Sequence, residues 1–205
     1  MKFILGTKEY MTQVFDDKGR VWPATVVSVS PSIVTQVKTK ETDGYAAVQV
    51  GYGKKSLKKI SKSVKGHTKD LGNFMHLKEF RLEGEIPFKV GDTVGTDGFK
   101  EGEVVTVSAI SKGKGFQGVV KRHKFEGGPR SHGQKHSERE PGSIGGGGRD
   151  GGRVAKGKRM AGRMGSDRIT VKNLKLIQID SENKAVLISG AIPGRRGTLV
   201  EIKAN

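Results

Sequence analysis

Short alternating runs of apolar and polar residues dominate the chain and predict β-strands separated by tight turns. Before residue 112 these runs are 3–5, 12–15, 24–29, 33–38, 45–50, 79–82 and 104–110. Many of their residues are β-branched, which favours strands. We expect 24–29 and 33–38 to form a hairpin-like pair around the Ser-Pro-Ser sequence at 30–32.

Strand-like runs return after residue 165, at 168–174, 176–180, 185–189 and 199–202, with a hairpin turn at 181–184. Helical periodicity is scarce, and we expect one short helix within 68–76. Strands on both sides of an interrupting segment are typical of a closed or nearly closed β-barrel with an insertion. The predicted fold class is therefore mainly β with minor α, a barrel interrupted by a long glycine-rich basic extension.

The interrupting segment, residues 112–165 and here called the arm, shows neither the alternation of a strand nor the periodicity of a helix. It contains 16 of the 31 glycines, and its fourteen Lys and Arg against four acids give it +10 of the net charge of +17. A segment of this composition has too little apolar surface to bury for its burial to offset the entropy of ordering the chain. We expect the barrel to comprise 1–111, with a basic insert near 51–78, together with 166–205, and the arm to be disordered in the free protein.

The net charge and a pI near 10.1 indicate a polyanionic partner, and nucleic acid is a commoner one than a membrane surface. The chain has no cysteine, which fits a reducing compartment. Neither a signal peptide nor a run of 18 apolar residues is present. These features predict a cytoplasmic protein with no membrane contact.

Lysines are also concentrated in the basic insert. We interpret Lys54, Lys55, Lys58, Lys59 and Lys62 as a surface that faces phosphates, and the alternative is an ordinary solvated face.

Two sequences in the arm resemble nucleotide-binding motifs. The first, 113–118, matches G-x-G-x-x-G, but the following VVKRHKFEGG is strand-like and lacks the helix that a dinucleotide site needs. The second, 152–159, nearly matches a P-loop, but Arg159 stands where a Ser or Thr hydroxyl would bind Mg²⁺. We therefore expect no nucleotide cofactor and no small-molecule substrate.

Three histidines, His123, His132 and His136, lie in the arm, and two of them are four residues apart. A zinc site needs a helix at that spacing and further ligands, and the neighbouring glycines disfavour a helix. Since no catalytic constellation is visible either, we expect no metal site and no enzyme. The arm's cations and near lack of aromatic residues favour recognition of an RNA backbone and its shape.

Five blocks in and around the arm stand out: SKGKGFQGVVKRHKF (111–125), SHG (131–133), PGSIG (141–145), GKRMAGRMG (157–165) and RITVKNL (168–174). Three more lie elsewhere in the chain: MTQVFDDKGRVWPATVV near the start, VTQVKT (34–39) and GAIPG (190–194). Together these blocks resemble the family of large ribosomal subunit protein three in its bacterial form, and the likeness extends through most of the chain.

The resemblance implies a structural protein of the large ribosomal subunit with a translation-factor-like barrel. Its arm would penetrate the rRNA toward the peptidyl-transferase centre, and it would support early assembly beside neighbouring ribosomal proteins. A free RNA chaperone and a nucleotide-binding enzyme are the alternatives. The rRNA-binding residues that the resemblance implies are Lys112, Lys114, Lys121, Arg122, Lys124, His132, Arg139, Lys156, Lys158, Arg159 and Arg163. Charge and location alone add Arg130, Lys135, Arg149 and Arg153.

Overall fold

A computed structural model describes residues 2–16, 18–82, 84 and 86–204, and for residues 149 and 150 it describes the backbone only. The chain forms two compact units. The globular unit comprises Met1–Ile110 and Arg168–Asn205, and the arm unit comprises Ser111–Asp167. No helix among the described residues is long and apolar enough to cross a bilayer.

The globular unit is mainly β, as the sequence predicts. Its strands are β1 (Phe3–Phe15), β2 (Val21–Ser28), β3 (Ser32–Lys38), β4 (Ala47–Lys54), β5 (Phe74–Arg81), β6 (Thr93–Val94), β7 (Val104–Ile110), β10 (Arg168–Asp180), β11 (Ala185–Ser189) and β12 (Leu199–Ala204). Its helices are α1 (Lys40–Asp43) and α2 (Lys62–Thr68), with 3-10 turns at Leu57–Lys59 and Lys69–Leu71. The arm unit contains β8 (Phe116–Gln117), β9 (Gly162–Arg163), α3 (Val119–His123) and a 3-10 turn at Gly147–Asp150.

Six antiparallel strands pair in the order β1-β12-β7-β10-β11-β2, and β2 returns to β1 so that the sheet closes. Mostly β-branched side chains fill the interior of this barrel, including Val27, Val107, Ile188 and Ile202, which are fully buried. A second sheet, in the order β5-β4-β3-β6, packs on a separate core that contains Phe80.

Strand β1 contributes to both cores because successive side chains of a strand point to opposite faces. Ile4 lies in the barrel core, whereas Phe3 and Leu5 lie in the core of the second sheet. Phe3 stacks on Phe80 with ring centroids 4.2 Å apart. The apolar face of the second sheet is therefore covered by the outside of the barrel, and β1 is shared between the two cores.

In two places, two successive predicted strands are in fact one long strand. The runs 3–5 and 12–15 are the ends of β1, and 168–174 with 176–180 form β10. In each case the chain changes partner along its length, so the polar residues in the middle mark a bulge, not a break. β1 pairs first with β12 and then with β2, and β10 pairs first with β7 and then with β11.

The predicted hairpin between 24–29 and 33–38 is wrong. β2 pairs with β1 and β11, whereas β3 pairs with β4 and β6. Val29 belongs to the barrel core and Val34 to the core of the second sheet, so 30–32 carries the chain from one sheet to the other. Of the helix expected within 68–76, only the 3-10 turn Lys69–Leu71 falls inside that window; the α-helix of this region, α2, lies almost entirely before it, and 74–76 belong to β5.

Candidate nucleic-acid interface

The two ends of the arm unit run antiparallel and are joined by backbone hydrogen bonds. β8 pairs with β9, Phe116 opposite Arg163. The Lys114 amide donates to the Met164 carbonyl over 2.9 Å, and the Ser111 amide donates to the Asp167 carbonyl over 2.9 Å. The arm therefore begins as a two-legged ribbon, which is the form expected of an insertion whose ends must return to neighbouring strands.

Helix α3 follows β8 and fastens one leg of the arm unit to the other. The Arg122 guanidinium donates to the Met160 carbonyl over 2.8 Å, and Nε2 of His123 lies 3.1 Å from the same oxygen. The prediction of a strand-like segment after 118 is wrong here, because Val119–His123 form a helix that buries Val119 and carries the Arg122 bond to Met160.

This short helix does not restore the dinucleotide interpretation of 113–118. α3 has five residues, and the strand before it pairs antiparallel with β9, so no βαβ unit is formed. At the second apparent motif, 152–159 contains turns and irregular backbone, and no helix begins there to present amides to a phosphate.

Beyond α3, an aromatic contact continues the connection between the legs. The Arg159 guanidinium lies over the Phe125 ring, 5.4 Å from its centroid, and the His123 ring lies 6.0 Å from that of Phe125. Cation–π contacts of this kind are worth about 0.5–1 kcal/mol at exposed sites. Arg122 and Arg159, predicted only as RNA contacts, thus also hold the arm unit together.

A smaller loop closes on itself between Gly127 and Glu138. The Gly128 amide donates to the Glu138 carbonyl over 2.9 Å, and the Arg130 guanidinium lies 3.8 Å from the Glu138 carboxylate. Gly127 has a φ of +83°, and a Cβ there would collide with the Glu138 carbonyl oxygen, so only glycine fits. Beside this loop is an open groove of about 580 Å³ whose walls include Phe125 and Gln134.

The histidines of the arm do not converge. His123 is turned toward the Met160 carbonyl, and His132 is exposed at a φ of +60°. Among the described residues no group of three His, Cys, Asp or Glu side chains is arranged to hold a metal ion.

Most of the predicted RNA-binding side chains are exposed to solvent. Arg122 is half-buried because of its bond to Met160, and the side chain of Arg149 lies outside the described part of the chain. The exposed residues are Lys112, Lys114, Lys121, Lys124, Arg130, His132, Lys135, Arg139, Arg153, Lys156, Lys158, Arg159 and Arg163. Of these, only Arg130 forms an ion pair with a carboxylate among the described residues. The arm unit thus presents cations without the acids that would neutralise them.

Comparison with known proteins identifies the family. A family model described as Ribosomal protein L3 matches residues 88–190, which include the whole arm unit. The chain is 47% identical over 200 residues to large ribosomal subunit protein uL3 of Herpetosiphon aurantiacus, covering 97% of this chain and 94% of that protein. It is 49% identical over 203 residues to uL3 of Nocardia farcinica, covering 98% and 91%.

A third similar protein, uL3 of Dehalococcoides mccartyi, is 45% identical over 200 residues and is covered to 96% of its length. The similarity therefore extends over both units of the chain and over nearly the full length of each relative. A nucleotide-binding enzyme is excluded, since the family is one of structural proteins. The chain belongs to the Ribosomal protein L3 family, the uL3 proteins of the large ribosomal subunit.

Proposed function

We propose that this protein is a structural constituent of the large ribosomal subunit in the cytoplasm, where it binds large-subunit rRNA, supports early assembly and extends its arm toward the peptidyl-transferase centre. The observation that carries the proposal is the set of exposed cations on the arm unit, nearly all without a described acidic partner. Family membership supports its location in the ribosome, and the protein's further partners are neighbouring large-subunit proteins.

The proposal assigns different tasks to the parts of the chain. Residues 1–111 and 166–205 form a translation-factor-like barrel with its accompanying sheet, and they fix the point from which the arm starts. Residues 112–165 are a glycine-rich extension that enters the rRNA. The closed strand order supports the first assignment. Glycine content and charge support the second, because glycine lets the main chain come close to RNA.

Recognition by the arm rests on the RNA backbone. Lysine and arginine neutralise phosphates and release the counterions condensed on them, which makes binding salt-dependent. The arm's only aromatic residues are Phe116 and Phe125, and Phe125 is already covered by Arg159. Phe116 is 77% exposed, so of these two phenyl rings it is the one that is free to stack on a base.

The proposed rRNA-binding residues form two groups. The leg group lies where the two legs are paired or linked: Lys112, Lys114, Lys121, Arg122, Lys124, Lys156, Lys158, Arg159 and Arg163. The distal group lies between them along the chain: Arg130, His132, Lys135, Arg139, Arg149 and Arg153. The leg group includes the two arginines that also connect the legs, so the distal group is the better target for an experiment.

Replacing 127–153 with a short Gly-Ser linker tests the proposal. This change removes Arg130, Lys135, Arg139, Arg149 and Arg153. At about 0.7–0.9 per phosphate contact, the slope of log K against log salt for large-subunit rRNA falls by up to about 4 units.

A second variant separates charge from length. It keeps 127–153 and changes the same five cations to Gln. We expect its salt slope to match that of the linker variant, while thermal denaturation shows no loss of stability of the globular unit in either variant. An unchanged slope in the two variants would refute phosphate binding by the arm. Crosslinks from positions 149 and 153 to rRNA in assembled subunits then test where the arm lies.

A further inference from the structure

A second concentration of positive charge lies on the globular unit, in residues 54–69. It contains seven lysines and no acid, and all seven are exposed. None of them forms an ion pair with a carboxylate in the described part of the chain. We call this set the lysine face: Lys54, Lys55, Lys58, Lys59, Lys62, Lys65 and Lys69.

The lysine face is built on regular structure. Ser61 caps α2 by accepting the Val64 amide over 3.4 Å, and the Thr68 hydroxyl donates to the Val64 carbonyl over 3.1 Å. Thr68 is 1% exposed, and Val64 is half-buried. At about 100° per residue, Lys62 lies on the opposite side of the helix from these two side chains, whereas Lys65 lies at the flank of the helix, about 60° from Thr68. Both lysine side chains are exposed.

Two contacts fix this segment on the second sheet. Nε2 of His67 lies 2.7 Å from Oε1 of Gln49 on β4, and the same oxygen accepts the Thr35 hydroxyl over 2.8 Å. The Lys55 amide donates to the Asn73 carbonyl just before β5 over 3.0 Å. The lysine side chains are consequently presented by an anchored surface, in contrast to the glycine-rich arm.

Lys69 occupies a backbone conformation that suits glycine. Its φ is +46° and its ψ is −126°, and its amide donates to the Lys65 carbonyl at the end of α2. A side chain at positive φ is strained, and glycine would remove the strain. A lysine at this position adds a seventh charge to a surface that already repels itself, so neither the backbone nor the local electrostatics of the free protein accounts for it.

We infer that the lysine face is a second RNA-binding surface, which contacts the phosphate backbone of rRNA independently of the arm. Residues 54–69 contain no Phe, Tyr or Trp, so the surface lacks the platforms on which single-stranded bases stack. Its cations suit the phosphates of a folded RNA. The inference rests on the proposed function, since it takes the same rRNA as partner.

The test is the salt dependence of rRNA binding by the full chain. The lysine-face variant carries Lys58→Gln, Lys62→Gln and Lys65→Gln, and its probe is protein-free bacterial large-subunit rRNA at about 50–200 mM salt. Each lost phosphate contact lowers the slope by about 1, so we expect a fall of about 2–3 units.

The matched control removes three exposed lysines from turns of the barrel: Lys18→Gln, Lys100→Gln and Lys184→Gln. Both variants lose the same net charge, and we expect the control slope to change by less than about 1 unit. An equal fall in the two variants would show a general charge effect and overturn the inference.

Lys69→Gly gives a sharper test because folding and binding should respond differently. Relief of the positive φ predicts a melting temperature no lower than that of the parent, while loss of one contact lowers the salt slope by about 1. A slope equal to that of the parent would contradict a role for Lys69 in binding.

Two further measurements separate this inference from the proposed function and from another class of partner. If the linker variant of 127–153 loses salt slope and the lysine-face variant does not, the arm binds RNA and the lysine face does not. Because the chain has no cysteine, Lys62→Cys offers a unique attachment site for a photocrosslinker in assembled subunits. Crosslinks to rRNA support the inference, and crosslinks only to a neighbouring protein overturn it.

Discussion

Glu201 provides a test of how the barrel and the second sheet are held together. It lies on β12 between Val200 and Ile202, which face the barrel core, so its side chain points to the opposite face. There it meets Lys78 of β5, with Nζ 3.1 Å from the carboxylate, and Arg168 of β10. One buried carboxylate therefore joins three strands of two sheets.

The cost of Glu201→Gln follows from the exposure of the three side chains. A hydrogen bond to a charged group contributes about 1.5–3 kcal/mol. Glu201 has a side-chain exposure of 10%, but Lys78 and Arg168 have exposures of 40% and 51%, so both cations can turn toward water when the charge is removed. Because water then solvates the two cations, we expect the free energy of unfolding to fall by about 1–2 kcal/mol, less than for a fully buried ion pair.

Thermal and urea denaturation of the full chain measure this loss. At about 2–4 °C per kcal/mol for a unit of this size, the melting temperature falls by roughly 2–8 °C. Glu182→Gln, in the exposed turn after β10, is the control, and it should stay within about 0.5 kcal/mol of the parent. If the two variants have equal stability, the carboxylate does not join the sheets and the argument is wrong.

Three other predictions address the second core, an ion pair and the arm. Phe80→Ala should lower the free energy of unfolding by about 3–5 kcal/mol, whereas Phe15→Ala, 61% exposed, should have little effect in the same denaturation; similar losses would contradict the packing. The Lys38 ammonium holds the pKa of Glu79 below its ordinary value. The stability that this ion pair contributes is present above the pKa of Glu79 in the unfolded chain and is lost as pH falls through its pKa in the folded protein. Glu79→Gln should therefore lower the free energy of unfolding in urea less at pH 3 than at pH 7, and an equal loss at the two pH values would refute this linkage. Protease should cleave 127–153 quickly in the free protein and slowly in the subunit; equal protection would exclude ordering by RNA.

Strand positions were predictable where the pattern is local. Val104–Ile110 and Ala185–Ser189 have the bounds that the sequence predicts, since each is a β-branched run with turn residues at both ends. Strand partners were not predictable by the same means. The partners of β2 and β3 depend on which core receives Val29 and Val34, and that choice is made by residues far away in the chain.

The arm shows the same limit. Its charge and glycine content are visible in the sequence, but the bond from Arg122 to Met160 joins residues 38 positions apart and leaves no periodic signal. The lysine face was partly visible. Lys65 and Lys69 join it only once α2 and the turn after it are known, because their place depends on the helix and on a positive φ.

The strand pairing also predicts that the arm can be altered without loss of the barrel. Ile110 and Arg168, the last and first residues of the globular unit on either side of the insertion, are cross-strand partners of β7 and β10. The ladder between these strands continues through Val107 opposite Val171, so the junction is held by the barrel itself. Since the entropy of closing a loop changes by only about 0.6 kcal/mol per doubling of its length, roughly halving the insertion should stabilise the barrel slightly. A loss of rRNA binding in the linker variant would therefore report lost contacts and not an unfolded protein.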